Sequence, residues 1–249
     1  MNISKLLNFE FKKSLPKDFG SARIIVTSRA DRRVLKPGWN GAAFDLQLVS
    51  HKLVEPGMTV WDIGSNQGLF AFMAAFKAGP TGHVYALEAD PHYADLIHRS
   101  SRNLSDAYAS IDILCAAISD QNSVLRFSTS RSGHARNKLM DYGTNEGFEI
   151  EAVKTVPSFC GDRLLDFWDK PEVIKMDVEG AELAALRGCD KILRDIRPVF
   201  YIEVSEQNEK TVADLFSSYG YDIFHLKGDG EEKLIKNCSF YTIARPQRE

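Results

Sequence analysis

Residues 59–68 read TVWDIGSNQG and join two patterns that predict different secondary structures. The apolar run that begins at Thr59 predicts a buried strand ending at Asp62. After the second glycine, Leu69–Phe76 is rich in helix formers and is followed by Gly79–Pro80, a pair that ends helices. The stretch therefore predicts a strand, a tight glycine turn and a helix, the order found at the nucleotide-binding crevice of a doubly wound α/β sheet.

The turn itself supplies the first candidate cofactor-binding residues, Asp62, Gly64, Ser65, Asn66 and Gly68. The two glycines let the backbone approach a ligand closely, and asparagine tolerates a left-handed conformation. A dinucleotide site needs G-x-G-x-x-G so that a pyrophosphate sits on the helix end. This turn lacks the middle glycine and has an acid before the first one, which would repel a pyrophosphate and attract a cation.

Two further stretches match the first. The run His83–Leu87 predicts a second strand that ends on Glu88, and this acid follows Gly64 by about 20 residues, the distance at which a carboxylate can bind ribose hydroxyls. Asp90 then predicts the start of another helix. The third stretch, Ile174–Glu182, reads IKMDVEGAE.

Together the three stretches resemble the FkbM family of S-adenosylmethionine (SAM)-dependent methyltransferases. That family carries an Asp-Ile-Gly-x-Asn loop, a Glu-x-x-Pro turn and an Ile-Lys-x-Asp-x-Glu-Gly-x-Glu signature, and the match covers roughly residues 55–205. The resemblance implies SAM as cofactor, with Glu88 on the ribose. Many such enzymes place an aspartate near the end of the third strand to bind adenine. Here Ala116 and Ala117 stand instead, so adenine is held either around Ala117 or by Asp120.

Strands alternate with helices through the rest of the chain, which predicts an α/β fold. We expect a Rossmann-like, doubly wound, mostly parallel seven-stranded sheet that ends in an antiparallel hairpin, as in class I methyltransferases. Residues 1–40 are expected to form an N-terminal extension or cap, and residues 41–249 the methyltransferase domain. The remaining predicted elements are a third strand over 111–118, added strands over 124–128 and 148–153, helices over 162–169 and 181–193, and hairpin strands over 221–226 and 239–244.

Four acids are expected at the carboxyl ends of neighbouring strands: Asp62, Glu88, Asp177 and Glu203. Ligands bind outside these ends in open α/β sheets, and clustered carboxylates repel one another unless a cation lies among them. Oxygen ligands between Asp177 and Glu203 would suit Mg²⁺, although nothing in their spacing requires a metal. We interpret Glu182 as a charge that stabilises a helix N-terminus.

Transfer of a methyl group to a hydroxyl requires alignment and a base that takes the proton. Asp177 is the first candidate base. His134 is the second, and its alternative is a solvated histidine in the polar loop over 129–147. The resemblance implies a small-molecule acceptor, a sugar or natural-product intermediate. Two other functions stay open, a nicotinamide-dependent oxidoreductase and a SAM-binding module without catalysis.

The composition of the chain limits the partners that it can bind and the compartment in which we expect it. The chain has 31 Lys and Arg against 34 Asp and Glu and no basic run, which argues against a nucleic-acid substrate. The four cysteines are far apart and form no C-x-x-C pair, so we expect free thiols in a reducing compartment. No apolar run is long enough for stable membrane insertion, and we expect a cytoplasmic protein.

Overall fold

The computed structural model describes residues 9–30, 32–39, 44–130, 138–140 and 150–247. These residues form an eight-stranded sheet, a four-stranded sheet and a two-stranded hairpin. The strands are β1 Glu10–Ser14, β2 Arg23–Thr27, β3 Thr59–Ile63, β4 His83–Leu87, β5 Ser110–Leu114, β6 Ala117–Ile118, β7 Ser123–Ser130, β8 Lys138–Leu139, β9 Ile150–Phe159, β10 Val173–Met176, β11 Val199–Glu203, β12 Tyr221–Leu226, β13 Glu232–Leu234 and β14 Tyr241–Pro246. The α-helices are α1 Phe44–Leu53, α2 Leu69–Ala78, α3 Pro91–Ser101, α4 Gly161–Leu164, α5 Glu182–Arg187 and α6 Glu209–Ser218.

The large sheet confirms the predicted fold class. Its order is β13-β12-β14-β11-β10-β3-β4-β5, and the five strands from β11 to β5 pair in parallel. Strand β14 inserts between β11 and β12 and is antiparallel to both, as the terminal-hairpin prediction required. The chain therefore forms a doubly wound, mostly parallel sheet whose strand order reverses at β3, where a crevice opens at the carboxyl ends of the strands.

An eighth strand corrects the predicted count of seven. After β12 the chain turns sharply, with Gly230 at φ +88° and its N–H donating to the Lys227 carbonyl at 2.9 Å. The turn folds the chain back so that Leu234 pairs with Phe224 at the outer edge of the sheet. Because the added strand is short and lies at the edge, it leaves the crevice unchanged.

Two predicted elements end earlier than the sequence suggested, and a third is interrupted. The third strand stops at Leu114, and Ala117 and Ile118 pair with β9 in the four-stranded sheet, which also contains the two predicted added strands. The helix expected over 162–169 ends at Leu164, because the next residues form turns that stack Trp168 on Tyr85, 4.9 Å between ring centroids. The helix expected over 181–193 is interrupted after α5, where Gly188 lies close to another segment: a Cβ there would be 2.2 Å from the Ser119 carbonyl oxygen.

The hydrophobic core lies on both faces of the large sheet. Helix α2 is buried along most of its length, as its apolar sequence requires. The N-terminal hairpin packs on the same side, and Phe19, Ile24 and Val26 are fully buried in the core that α2 shares. The boundary near residue 40 stays a prediction. In the described part of the chain, every helix is too short or too polar to cross a bilayer.

Candidate functional site

A cleft opens at the carboxyl ends of β3, β4 and β10, where the sequence predicted it. The turn after β3, the end of β4 and the segment after β10 form its polar side. Its apolar side comes from the start of the four-stranded sheet and from α3. The polar lining consists of Gly64, Asn66, Glu88, Asp177 and Glu179.

The turn after β3 depends on Gly64. This residue has φ +73°, in the left-handed region that favours glycine. A Cβ there would lie 1.8 Å from the backbone oxygen of Asp177, so the turn packs directly on the segment after β10. The N–H groups of Gly64 and Ser65 both donate to the Leu87 carbonyl, at 2.9 and 3.1 Å. The turn is therefore fixed to both neighbouring strands through its backbone.

Glu88 holds the same turn from the end of β4. Its Oε2 accepts a hydrogen bond from the Asn66 N–H at 2.6 Å, and its Oε1 accepts one from the Asp90 N–H at 2.7 Å. Burial raises the pKa of Glu88 to about 8, although the two N–H donors act in the opposite direction. Each carboxylate oxygen has a second lone pair, so Glu88 can support the turn and still accept hydroxyl donors in the cleft.

Asp62, Ser65 and Gly68 lie behind the turn and are not part of the cleft lining. The Asp62 carboxylate is fully buried and accepts from the Ala71 N–H at 3.1 Å. The Ser65 hydroxyl donates to the Asp62 backbone oxygen at 2.6 Å. Gly68 precedes α2 with φ +80°. These residues shape the turn, and direct contact between them and a cofactor stays a prediction.

Lys175 is the functional candidate that the sequence interpretation passed over. Its side chain is almost fully buried, and its Nζ donates to the Gly64 carbonyl at 2.7 Å. The same ammonium lies 3.3 Å from Asp62 Oδ1 and 3.9 Å from Asp177 Oδ2. Burial alone would lower the pKa of Lys175, but the carboxylates around it raise the pKa above its ordinary value. Lysine is almost never fully buried unless it is paired, so its presence in an otherwise apolar central strand was the sequence signal for a role in the site.

Two acids on the other side of Lys175, Asp177 and Glu203, have raised pKa values. Asp177 lines the cleft with its side chain 27% exposed. Burial raises its pKa, and Lys175 opposes that shift. Burial also raises the pKa of Glu203 to about 9, with the Asp177 charge adding to the effect. Asp45, on α1, lies 3.4 Å from the Tyr201 hydroxyl. Asp45 and Glu203 interact electrostatically with Asp177 but do not line the cleft themselves. We call Asp177 and these two acids behind it the acceptor half of the cleft.

The opposite side is the cofactor half, which we define as the Gly64–Gly68 turn, Glu88 and the apolar wall around Ala117. Ala117, predicted beside the adenine, does line the cleft. The sequence did not reveal that Phe127 and Leu139, both buried, complete this wall. Asp120, the alternative adenine partner, is exposed and is not among the lining residues.

Two other predicted residues have different outcomes. His134 lies outside the described residues. Glu182 is buried at the start of α5, where it accepts from the Gly180 N–H at 2.7 Å and from Asn208 Nδ2 at 2.6 Å. This agrees with its interpretation as a helix-terminal charge. In the described part of the chain, no three His, Cys, Asp or Glu side chains are grouped so that they could hold a metal ion.

The cleft fits SAM. The adenosine needs an acceptor for ribose hydroxyls and an apolar slot for the base, and Glu88 and the wall around Ala117 supply them. A donor with a sulfonium and an ammonium group favours an acidic surrounding, and Asp177 and Glu179 line the cleft. Gly64 lines the cleft through its backbone alone, because the space that a side chain would need is filled by the Asp177 carbonyl.

Comparison with known proteins identifies the family. The family model described as the methyltransferase FkbM domain matches residues 62–223. A hexuronic acid methyltransferase, AglP from Haloferax volcanii, is 29% identical over 160 residues, which cover 64% of this chain. The aligned part is 61% of that relative, so the chain matches less than two thirds of its length.

Solved structures with similar folds include two methyltransferases of low sequence identity. The FkbM methyltransferase from Methylobacillus flagellatus gives a TM-score of 0.47 at 14% identity, covering 80% of this chain and 50% of that one. Fibrillarin from Aeropyrum pernix, solved with natively bound SAM, gives 0.45 at 15% identity, covering 81% and 73%. From the match to the family model, which spans more than half of its residues, the chain belongs to the FkbM family of methyltransferases, and its cofactor is S-adenosylmethionine.

Proposed function

We propose that this chain catalyses SAM-dependent O-methylation of a hydroxyl group on a sugar or a related natural-product intermediate. The observation that carries the proposal is the position of Asp177. Its carboxylate lines the cleft while its backbone packs against Gly64 of the cofactor turn. A group that can accept a proton therefore lies next to the place where the methyl donor binds.

The cofactor half has the residues to hold SAM. Glu88 accepts the ribose hydroxyls, the Gly64–Gly68 turn contacts the amino acid end, and the wall around Ala117 covers the adenine. When bound, SAM supplies a methyl group that the sulfonium has already activated. The protein then has to orient the acceptor toward it and exclude water, which accounts for most of the acceleration of such a displacement.

Asp177 is the base in this proposal. As the acceptor oxygen bonds to the methyl carbon, the carbon–sulfur bond of the sulfonium would break to leave the thioether, and the hydroxyl proton would pass to the Asp177 carboxylate. Burial raises the pKa of this carboxyl, which makes the ionised form a stronger proton acceptor than an exposed aspartate. Lys175 opposes the shift and favours the ionised form that a base requires.

A sugar acceptor is favoured by the chemistry of the acceptor half. Carboxylates are good acceptors for several hydroxyl donors at once, and Asp45 and Glu203 flank Asp177. The relative's printed name, a hexuronic acid methyltransferase, supports the same class of acceptor.

Two measurements test the proposal. The first is calorimetric titration of SAM, in which the Glu88→Ala variant should lose about 1–3 kcal/mol of binding free energy. Glu88→Gln keeps the shape, and Glu232→Gln, a carboxylate paired with Arg245 outside the cleft, serves as the matched control. If the wild type gives no binding heat, the proposal is wrong.

The second measurement is turnover. The protein is incubated with methyl-labelled SAM and a panel of uronic acid glycosides, neutral glycosides and polyketide alcohols, and products are located by mass spectrometry and NMR. A methyl ether on a sugar hydroxyl supports the proposal, whereas a methyl ester or N-methyl product contradicts O-methylation of a hydroxyl. Binding of SAM without methylation across the panel would favour a module that binds SAM without catalysis.

A further inference from the structure

The buried ammonium of Lys175 touches both halves of the cleft. Strand β10 places Lys175 beside Asp62 of β3 and beside Tyr201 of β11. From there its Nζ reaches the Gly64 carbonyl at 2.7 Å on one side and Asp177 Oδ2 at 3.9 Å on the other. No other lysine or arginine in the described part of the chain has an ion pair with either Asp62 or Asp177.

Burying an ammonium is costly, since its hydration is lost. A lysine that served only to fill the core could be replaced by an apolar side chain of similar size without loss. Here the charge meets one carbonyl and two carboxylates, and Asp62 itself is fully buried. The charge therefore has specific partners, and these partners belong to the cofactor turn and to the acceptor half.

We propose that Lys175 is a positioning residue whose ammonium ties the Gly64 carbonyl of the cofactor turn to the carboxylate of Asp177, so that the methyl donor and the base are held in fixed register. The inference rests on the proposed function, in which Asp177 is the base. Lys175 touches no reacting atom in this assignment, and it acts through Gly64 and Asp177.

The charges around Asp177 give the proposal a distinctive consequence. Lys175 lowers the pKa of Asp177, whereas Asp62, Glu182 and Asp45 raise it. Glu203 and Glu179 interact with the same group of acids. These acids come from every element packed around the carboxylate: Asp62 of β3, Glu203 of β11, Asp45 of α1, Glu182 of α5 and Glu179 of the segment between β10 and α5. Removal of the ammonium should therefore raise the pKa of Asp177 further.

The test compares two variants. Lys175→Met leaves the Asp62 carboxylate buried without its cation and is expected to be unstable. The double variant Lys175→Met/Asp62→Asn removes both charges and should fold. Lys52→Met, which breaks a lysine–glutamate pair at 3.2 Å elsewhere, is the matched control for loss of a lysine.

The readout that needs no turnover is the titration of Asp177, followed by NMR with ¹³C-carboxyl-labelled aspartate and assigned with Asp177→Asn. The Asp62 charge itself raises the pKa of Asp177, so Asp62→Asn alone is the reference for the double variant. Relative to that reference, the midpoint in the double variant should rise by about one pH unit or more, as expected for loss of an opposite charge at this distance. It should stay at the wild-type value in Lys52→Met. Calorimetry with S-adenosylhomocysteine should show weaker binding in the double variant, because the Gly64 carbonyl has lost its donor.

Where an acceptor is known, the acid limb of the kcat profile should move to higher pH by the same amount. A folded double variant with the same titration midpoint as Asp62→Asn and with wild-type affinity would overturn the inference and leave Lys175 with a structural role alone. Failure of the proposed function looks different. In that case the wild type methylates nothing, while the NMR and calorimetric shifts still report whether Lys175 couples the two groups.

Discussion

The two halves of the cleft are held in place by different forces. In the cofactor half, the Gly64–Gly68 turn and Glu88 are joined by hydrogen bonds to backbone N–H groups and by close backbone packing. In the acceptor half, Asp177, Glu203 and Asp45 are fixed by few such bonds and interact mainly through charge. Backbone contacts determine where a ligand lies, whereas the charges determine how readily protons move.

This difference suggests a division of labour between binding and chemistry. Changes in the cofactor half should alter folding and SAM affinity, and changes in the acceptor half should alter turnover and its pH dependence. Lys175 is the exception, since it contacts both. This division would be contradicted by a variant in the cofactor half that alters only turnover, or by a variant in the acceptor half that alters only SAM affinity.

The largest effect is expected from Gly64→Ala. The new Cβ would meet the Asp177 backbone oxygen at 1.8 Å, and the left-handed backbone adds strain, so we expect a stability loss of about 3 kcal/mol or more and no measurable SAM binding. Urea unfolding measures the stability loss, and calorimetry measures SAM binding.

Gly57→Ala is the control. Gly57 also has a positive φ, but the nearest atom to its new Cβ would be Thr81 Oγ1 at 3.6 Å. This variant should therefore lose about 1–2 kcal/mol of stability and still bind SAM. Equal losses in the two variants would show that close packing at the turn does not matter.

The next effect is on turnover. Asp177→Asn keeps the size of the side chain and removes the proton acceptor, so kcat should fall by about 10²–10⁴-fold while SAM affinity stays close to wild type. Single-turnover kinetics and calorimetry separate the two quantities. Asp169→Asn is a matched control, because Asp169 bonds the Tyr85 hydroxyl away from the cleft. If Asp177→Asn weakens SAM binding and leaves kcat at saturating SAM unchanged, the division between the halves is wrong.

Sequence alone was sufficient for the Gly64–Gly68 turn and for the place of Glu88 beside it, because their determinants are local. The spacing between Gly64, Gly68 and Glu88 fixes a strand, a turn and a neighbouring strand end, and each follows from the residues on either side. The sheet order was predictable for the same reason, since alternating strands and helices leave few topologies. The structure brings Glu88 to the turn as expected, with its carboxylate on the Asn66 N–H.

The remaining features depend on pairing between distant segments. Lys175 matters because the register sets it beside Asp62, 113 residues earlier in the chain, and no local pattern reports that register. Phe127 reaches the cleft only because β7 pairs with β9 and β8 in a second sheet. The early end of the third strand has the same origin, since the Ala116 N–H donates to the Glu88 carbonyl at 3.1 Å and turns the chain away.

A smaller effect should appear in the pH dependence of cofactor binding. The raised pKa of Glu88, about 8, means that the free protein holds a proton there at lower pH. Ribose hydroxyls donate best to the ionised form, so binding should release a proton below pH 8 and weaken by up to about tenfold per unit as the pH falls. Calorimetry with S-adenosylhomocysteine at pH 6, 7 and 8, in buffers of different ionisation enthalpy, measures both. Glu88→Gln should remove the dependence, and a wild-type affinity that is constant from pH 6 to 8 would contradict this account of Glu88.

The smallest effect concerns the stability of the acceptor half. The pKa of Glu203 is raised to about 9 in the folded protein, so between the ordinary carboxyl pKa and 9 the folded state binds more protons than the unfolded state. The free energy of unfolding therefore falls as the pH rises through this window. Glu203→Gln cannot ionise, and from pH 6 to pH 7 it should lose less stability than the wild type by about 1 kcal/mol, measured by urea unfolding. Glu232→Gln should show no such difference, because Arg245 lowers the pKa of Glu232 and this carboxylate is charged in both states throughout the window. A wild-type protein that is equally stable at both pH values would mean that charge repulsion in the acceptor half is already relieved by its surroundings, and the contrast with the backbone-held cofactor half would lose its energetic basis.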